Sequence, residues 1–160
     1  MILFWFEFAV LVAGFAAALL LFWRIPLLPR SAAEQAVRLS VVIPARNEAK
    51  TLPLLLGDLF AQTVQPHEII VVNDDSQDET EAIARAFGVR VLSTDAKPAD
   101  WVGKCWACQA GAEAATGDSL LFLDADVRLA PDGIGRIAAV HAAHGAVSVQ
   151  PYHATKSWYE

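Results

Sequence analysis

Two cysteines in 160 residues are too few to staple a fold, so a disulfide scaffold is excluded. The four histidines show no metal-ligand spacing, and Cys105-x-x-Cys108 has no histidine nearby to complete a four-ligand zinc site. That pair also lacks the usual thioredoxin context. No G-x-G-x-x-G follows the first β-branched run, which removes dinucleotide binding. Internal repeats and low-complexity tracts are missing, and the length suits one domain. Charge is sparse, at 19%, and its sign matters: beyond residue 38 nine bases stand against sixteen acids, a net charge of -7. Nucleic acid is excluded as a partner, because neutralising phosphates needs clustered Lys and Arg.

What is abundant is apolar surface, 55% of all residues, and the excess has a location. Ile2 to Trp23 carry a single charge, Glu7. As a helix these 22 residues extend about 33 Å, enough to cross a hydrocarbon core of about 30 Å. Residues 1–23 therefore read as a transmembrane helix, with Trp5 and Trp23 near its two interfaces. A cleaved signal peptide would want bases before the run and a small-x-small site after it, and neither is evident. Arg24, Arg30 and Arg38 all lie on the C-terminal side, which makes that side cytoplasmic and keeps the two thiols reduced. Pro26 and Pro29 break any helix, so residues 24–38 read as a linker and a domain begins at Leu39.

From there, short β-branched runs alternate with helical spacing. Strands are expected at Leu39–Ile43, Ile69–Val72, Val89–Leu92, Ser119–Leu123 and Ala146–Val149, and helices over about 47–61, 78–87, 103–116 and 131–144. Strict alternation predicts an open, mostly parallel α/β sheet that binds ligands at the carboxyl ends of its strands. Polar residues collect at those ends: Pro44-Ala45-Arg46-Asn47-Glu48, Asn73 to Asp78, and Asp124-Ala125-Asp126. Helix capping accounts for Asp78 and Thr80. It accounts less well for Asp124 and Asp126, two carboxylates one residue apart at a sheet edge, whose natural partner is a hard divalent cation, Mg²⁺ or Mn²⁺.

In this order and at these spacings, Val42 to Glu48, Val71 to Thr80 and Leu123 to Asp126 resemble the family 2 glycosyltransferases over most of residues 39–150. The resemblance implies the GT-A fold, a Rossmann-like nucleotide-binding α/β domain that transfers a sugar from a nucleotide diphosphate with inversion. Gly103-Lys104-Cys105-Trp106-Ala107, with Gln150-Pro151-Tyr152-His153 and Trp158-Tyr159-Glu160, further resembles a membrane-bound branch acting on lipid or carotenoid acceptors.

Carried over residue by residue, the resemblance puts Pro44 and Glu48 in the nucleoside pocket and Asp74 on the base, uracil. Asp124 would face the ribose or donor sugar and also the metal, and Asp126 would bind the metal that bridges the diphosphate. Lys104 would add positive charge beside it, against a plain reading as a surface lysine of a helix's first turn. Where the family usually shows Asp-Asp-Gly-Ser, this chain has Asn73-Asp74-Asp75-Ser76. Inversion also needs a general base for the acceptor hydroxyl, and the resemblance puts that carboxylate beyond Glu160. Residues 39–160 thus read as a donor-binding domain truncated at its C-terminus. Two alternatives stand beside this: a membrane-tethered fragment that binds nucleotide-sugar without turnover, and an aspartyl-phosphate phosphatase with Asp124 as nucleophile. The second wants its Asp-x-Asp on the first strand, whereas three strands precede it here.

Overall fold

A computed structural model describes residues 2–22, 27–29, 38–94 and 97–151. Trp23, most of the expected linker and the motif residues from Tyr152 to Glu160 lie outside the described residues. Helix α1 (Ile2–Phe22) is apolar on every side and none of its Phe4–Leu21 window is buried, so it is long and apolar enough to cross a membrane.

The domain opens with β1 (Leu39–Ala45) and α2 (Leu52–Phe60), followed by β2 (Glu68–Asn73), α3 (Thr80–Ala86) and β3 (Arg90–Ser93). Next come α4 (Gly103–Ala114), β4 (Ser119–Phe122) and α5 (Gly133–His144). All strand pairs are parallel, in the order β3-β2-β1-β4. Because side chains alternate along β1, Val41, Ile43 and Ala45 face one layer and Val42 the other. The first layer is α2, whose Leu52, Leu55, Leu56 and Leu59 recur at helical spacing and are fully buried. Each such leucine contributes about 2 kcal/mol by leaving water. On the other face α4 lays Ala107 and Gly111 against Val42, Ile70 and Val72. Pro44 is tolerated in this central strand because pairing with β4 stops two residues earlier, at Val42↔Phe122.

Two expectations need correction. Ala146–Val149 forms no strand; a strand needs a neighbour to bond, and after the left-handed turn at Gly145 (φ 77°) this segment lies beside Leu39 and Leu120 without joining a ladder. The helix expected from 47 starts at Leu52, because Asn47 is itself left-handed (φ 57°) and cannot sit in a right-handed turn. Of the linker, Leu28 and Pro29 are held to α5 by Arg136, which donates to their carbonyls at 2.6 and 2.8 Å.

At the edge of the sheet away from the strand carboxyl ends, Glu68 ties three segments together. It accepts hydrogen bonds from the Ser40 hydroxyl (2.7 Å) and from both the backbone N–H and the hydroxyl of Thr116, with Arg90 3.5 Å away. Desolvation pushes its carboxyl up, but these donors and Arg90 together outweigh it and lower it to about 2. The folded value lies below the unfolded one, so the stabilisation is complete above the ordinary carboxylate value of 4.5 and is lost as pH falls from there toward 2. At about 1.4 kcal/mol per pH unit the loss is on the order of 3 kcal/mol. Urea unfolding of the wild type and Glu68→Gln between pH 5 and 3 checks this: the wild type weakens more steeply, and parallel profiles would contradict it.

Candidate active site

The carboxyl ends of β1, β2 and β4 open onto a cavity of about 400 Å³. It is lined by Pro44, Ala45, Arg46, Glu48, Asp74, Gly103, Lys104, Asp124, Ala125 and Asp126. The six residues singled out in the sequence, Pro44, Glu48, Asp74, Lys104, Asp124 and Asp126, thus meet in one place.

Two loops form its floor by latching onto each other. Asn47 and Asp75 are left-handed (φ 57° and 56°), a conformation that Asn and Asp adopt more readily than other non-glycine residues. Asn47 N–H donates to Ser76 Oγ at 3.1 Å, and Gln77 N–H donates back to Asn47 Oδ1 at 2.8 Å. Glu48 N–H donates to Thr80 Oγ1 at 2.8 Å, and Ala49 N–H to Asp78 Oδ2 at 3.2 Å. Asp78 therefore does more than cap α3. The Thr80 hydroxyl, first among its donors, holds its carboxyl below the usual range. Asp74 follows β2 and is fixed by its N–H, which donates to Ala45 O at 2.9 Å.

The helix wall closes against that floor. A Cβ at Gly103 would stand 2.6 Å from Asp74 Oδ2, so a side chain there would push the carboxylate aside. One residue on, Lys104 Nζ pairs with Asp124 Oδ1 at 2.7 Å. That hydrogen-bonded carboxylate raises the ammonium's pKa above its usual value. Both side chains are more than half exposed, so the pair matters for what it positions and little for stability.

After β4 the chain turns at Asp124–Val127 with Ala125 buried, leaving Asp124 and Asp126 exposed on the cavity. It is then strapped to α2. Arg128 forms a two-pronged ion pair with Asp58, holding that carboxyl down, and Gln62 donates to Ala130 O at 2.8 Å. Arg46, Gly103 and two alanines are lining residues that the sequence reading passed over, although Arg46 stands inside a quoted motif and Gly103 directly precedes Lys104.

The donor set suits a particular kind of cation. Among the described residues no three His, Cys, Asp or Glu side chains gather around one point, so there is no all-protein cage. With Asp124 on Lys104, the exposed Asp126 carboxylate fits an ion that takes one or two carboxylates and completes its shell with water and phosphate oxygens.

The family model for glycosyl transferase family 2 matches residues 40–160. The chain belongs to glycosyl transferase family 2. A 4,4'-diaponeurosporenoate glycosyltransferase of Staphylococcus haemolyticus (strain JCSC1435) is 42% identical over 133 residues, 79% of this chain and 35% of that protein. The protein of the same name in Staphylococcus aureus (strain MRSA252) is 40% identical over 127 residues, 76% and 34%. This family 2 chain thus spans about a third of the length of the curated relatives it matches.

Among solved structures, S. aureus TarS 1–349 superimposes with a TM-score of 0.57 at 25% identity, over 68% of this chain and 33% of that one. The mannosyltransferase PcManGT from Pyrobaculum calidifontis, in complex with GDP-Man and Mn²⁺, reaches 0.65 over 84% and 43%, and at 23% identity it shows the shared fold. The sheet order and flanking helices are those of a GT-A domain.

Proposed function

We propose that this family 2 domain binds a UDP-sugar in the cavity above β1, β2 and β4 and serves its transfer, with inversion, to a lipid-like or carotenoid acceptor at a membrane. The observation that carries this reading is the convergence of Pro44, Glu48, Asp74, Lys104, Asp124 and Asp126 on one cavity at the strand ends. Pro44, Glu48 and Asp74 line the nucleoside end, where the Asp74 carboxylate accepts hydrogen bonds from the base. Asp124 holds Lys104 in place and faces the ribose or the sugar, and the Lys104 ammonium neutralises negative charge on the departing diphosphate. Asp126 and Asp124 hold Mg²⁺ or Mn²⁺, which when bound supplies Lewis-acid stabilisation of the leaving diphosphate. With α1 in the bilayer, the domain faces the cytoplasm and meets apolar acceptors at the membrane surface. The names of the curated relatives support an acceptor of carotenoid-acid type.

A second reading is a tethered domain that binds donor without turnover. Chain reconstituted in vesicles with radiolabelled UDP-glucose and a carotenoid carboxylic acid separates the two. Labelled acceptor with inverted anomeric configuration is the expected result of the first. Donor retention without transfer gives the second, and neither retention nor transfer contradicts both.

A further inference from the structure

The helix wall of the cavity carries a chemistry that sugar transfer does not use. Cys105 and Cys108 lie on the first two turns of α4, directly after the cavity residues Gly103 and Lys104. Helix geometry sets Cα atoms three residues apart at about 5 Å and on neighbouring faces. That spacing lies inside the roughly 4.4–6.8 Å Cα window of a disulfide, but the Cβ atoms of such a pair stand about 5–6 Å apart against the roughly 3.5–4.5 Å the bond needs, so closing it pulls the start of α4 out of regular helical geometry. Cys105 is exposed and Cys108 half-buried. Cys108 also stands close enough to Lys104, Asp124 and Cys105 to sense their charges; burial pushes its thiol up and the Lys104 ammonium opposes this. Cys105 is therefore the thiol that meets a reagent first, and Cys108 the one placed to resolve it.

The start of α4 is coupled to the cavity: Gly103 packs close to the Asp74 carboxylate, Lys104 pairs with Asp124, and Ala107 and Gly111 are buried on the sheet. Moving the first turn therefore moves two walls of the cavity.

We propose that Cys105 and Cys108 form a reversible dithiol–disulfide couple whose closure across the start of α4 loosens the nucleotide cavity, with a low-molecular-weight disulfide such as oxidised glutathione as oxidant. The Cys105 thiolate attacks one sulfur of oxidised glutathione and expels a glutathione thiolate. The Cys108 thiolate then attacks Cys105 sulfur and expels the second. One S–S bond breaks and one forms across the protein, two protein thiols are oxidised, and the oxidant leaves as two glutathione thiols. The effect on nucleotide rests on the function proposed above; the couple itself does not.

The test equilibrates the detergent-solubilised full chain in oxidised or reduced glutathione and follows three readouts. By mass spectrometry the wild type loses two hydrogens and carries no adduct, whereas Cys105→Ser and Cys108→Ser each retain at most one glutathione. Tryptophan emission changes on oxidation and recovers with dithiothreitol, and the change is lost in Trp106→Phe. UDP affinity with Mn²⁺ falls at least about tenfold on oxidation and is unaffected in Cys108→Ser. Free thiols or stable mixed adducts in the oxidised, folded chain would overturn the proposal. So would a disulfide that leaves both emission and affinity unchanged. If the reduced chain itself fails to bind UDP, the nucleotide reading is what fails, and mass and emission still decide the couple.

Discussion

Asp126→Ala removes the metal-dependent part of UDP binding and leaves the fold intact. Asp126 is exposed at the cavity and has no ion pair among the described residues, whereas Asp124 is held by Lys104 at 2.7 Å. On the proposed donor site, a divalent ion arriving with a diphosphate would find its main protein ligand in Asp126. Deleting one member of a close charge pair in a binding site costs about 2–5 kcal/mol, so UDP affinity in Mn²⁺ should fall by roughly a hundredfold. Stability should change by no more than about 0.5 kcal/mol, since the side chain removed is exposed and its interaction with Lys104 is a solvent-screened charge attraction. Asp124→Asn acts differently, freeing Lys104 and weakening binding while retaining its response to Mn²⁺. Titration of UDP into both variants, with thermal unfolding alongside, separates the two carboxylates; equal losses would contradict this division of labour.

A large effect on stability is expected from a single methyl group. In Gly111→Ala the new Cβ would lie 2.3 Å from Val42 Cγ1 and 3.0 Å from Val72 Cγ2. Both valines are fully buried on the sheet and cannot swing away without displacing other core atoms. Helix α4 must lift instead, separating Ala107 from Ile70 and Val72 and moving the helix that carries Gly103 and Lys104. Overpacking of this kind costs about 1–3 kcal/mol or more, which exceeds the roughly 0.5–1 kcal/mol that alanine gains over glycine inside a helix. A net loss of about 2 kcal/mol lowers the melting temperature on the order of 10 °C. Gly57→Ala in α2 is the matched control: no atom lies within 4 Å of its Cβ position, so the same change should stabilise the chain. Thermal unfolding of the two variants should show opposite signs; two shifts of the same sign would contradict this packing account.

These two glycines also mark what the sequence can and cannot announce. Buried strands β1 and β2 are legible because β-branched residues cluster between breakers, and α2 because its four leucines keep helical spacing. Asp124 and Asp126 are legible because carboxylates directly after an apolar strand need a reason to be there. Val147 and Val149 show the limit of such patterns. They ask for burial as a strand does, but their segment lies beside β4 without bonding to its open edge. The start of α2 misleads for a local reason, the left-handed Asn47, whose side chain serves the neighbouring loop instead of a helix. Lys104 and Asp124 are twenty positions apart, and only the crossover that lays α4 against β1 brings them to 2.7 Å. Gly57 and Gly111 look alike in the sequence, and only the packing of α4 on the sheet separates them.

The central claim is that the cavity above β1, β2 and β4 is a donor site that engages a nucleoside diphosphate together with a divalent cation. Calorimetric titration of UDP into the detergent-solubilised wild type, with Mn²⁺ and then with a chelator, tests it most directly. Saturable binding in Mn²⁺ that disappears with chelator is the predicted result. A folded protein that gives no heat in either condition, or the same affinity in both, would contradict it.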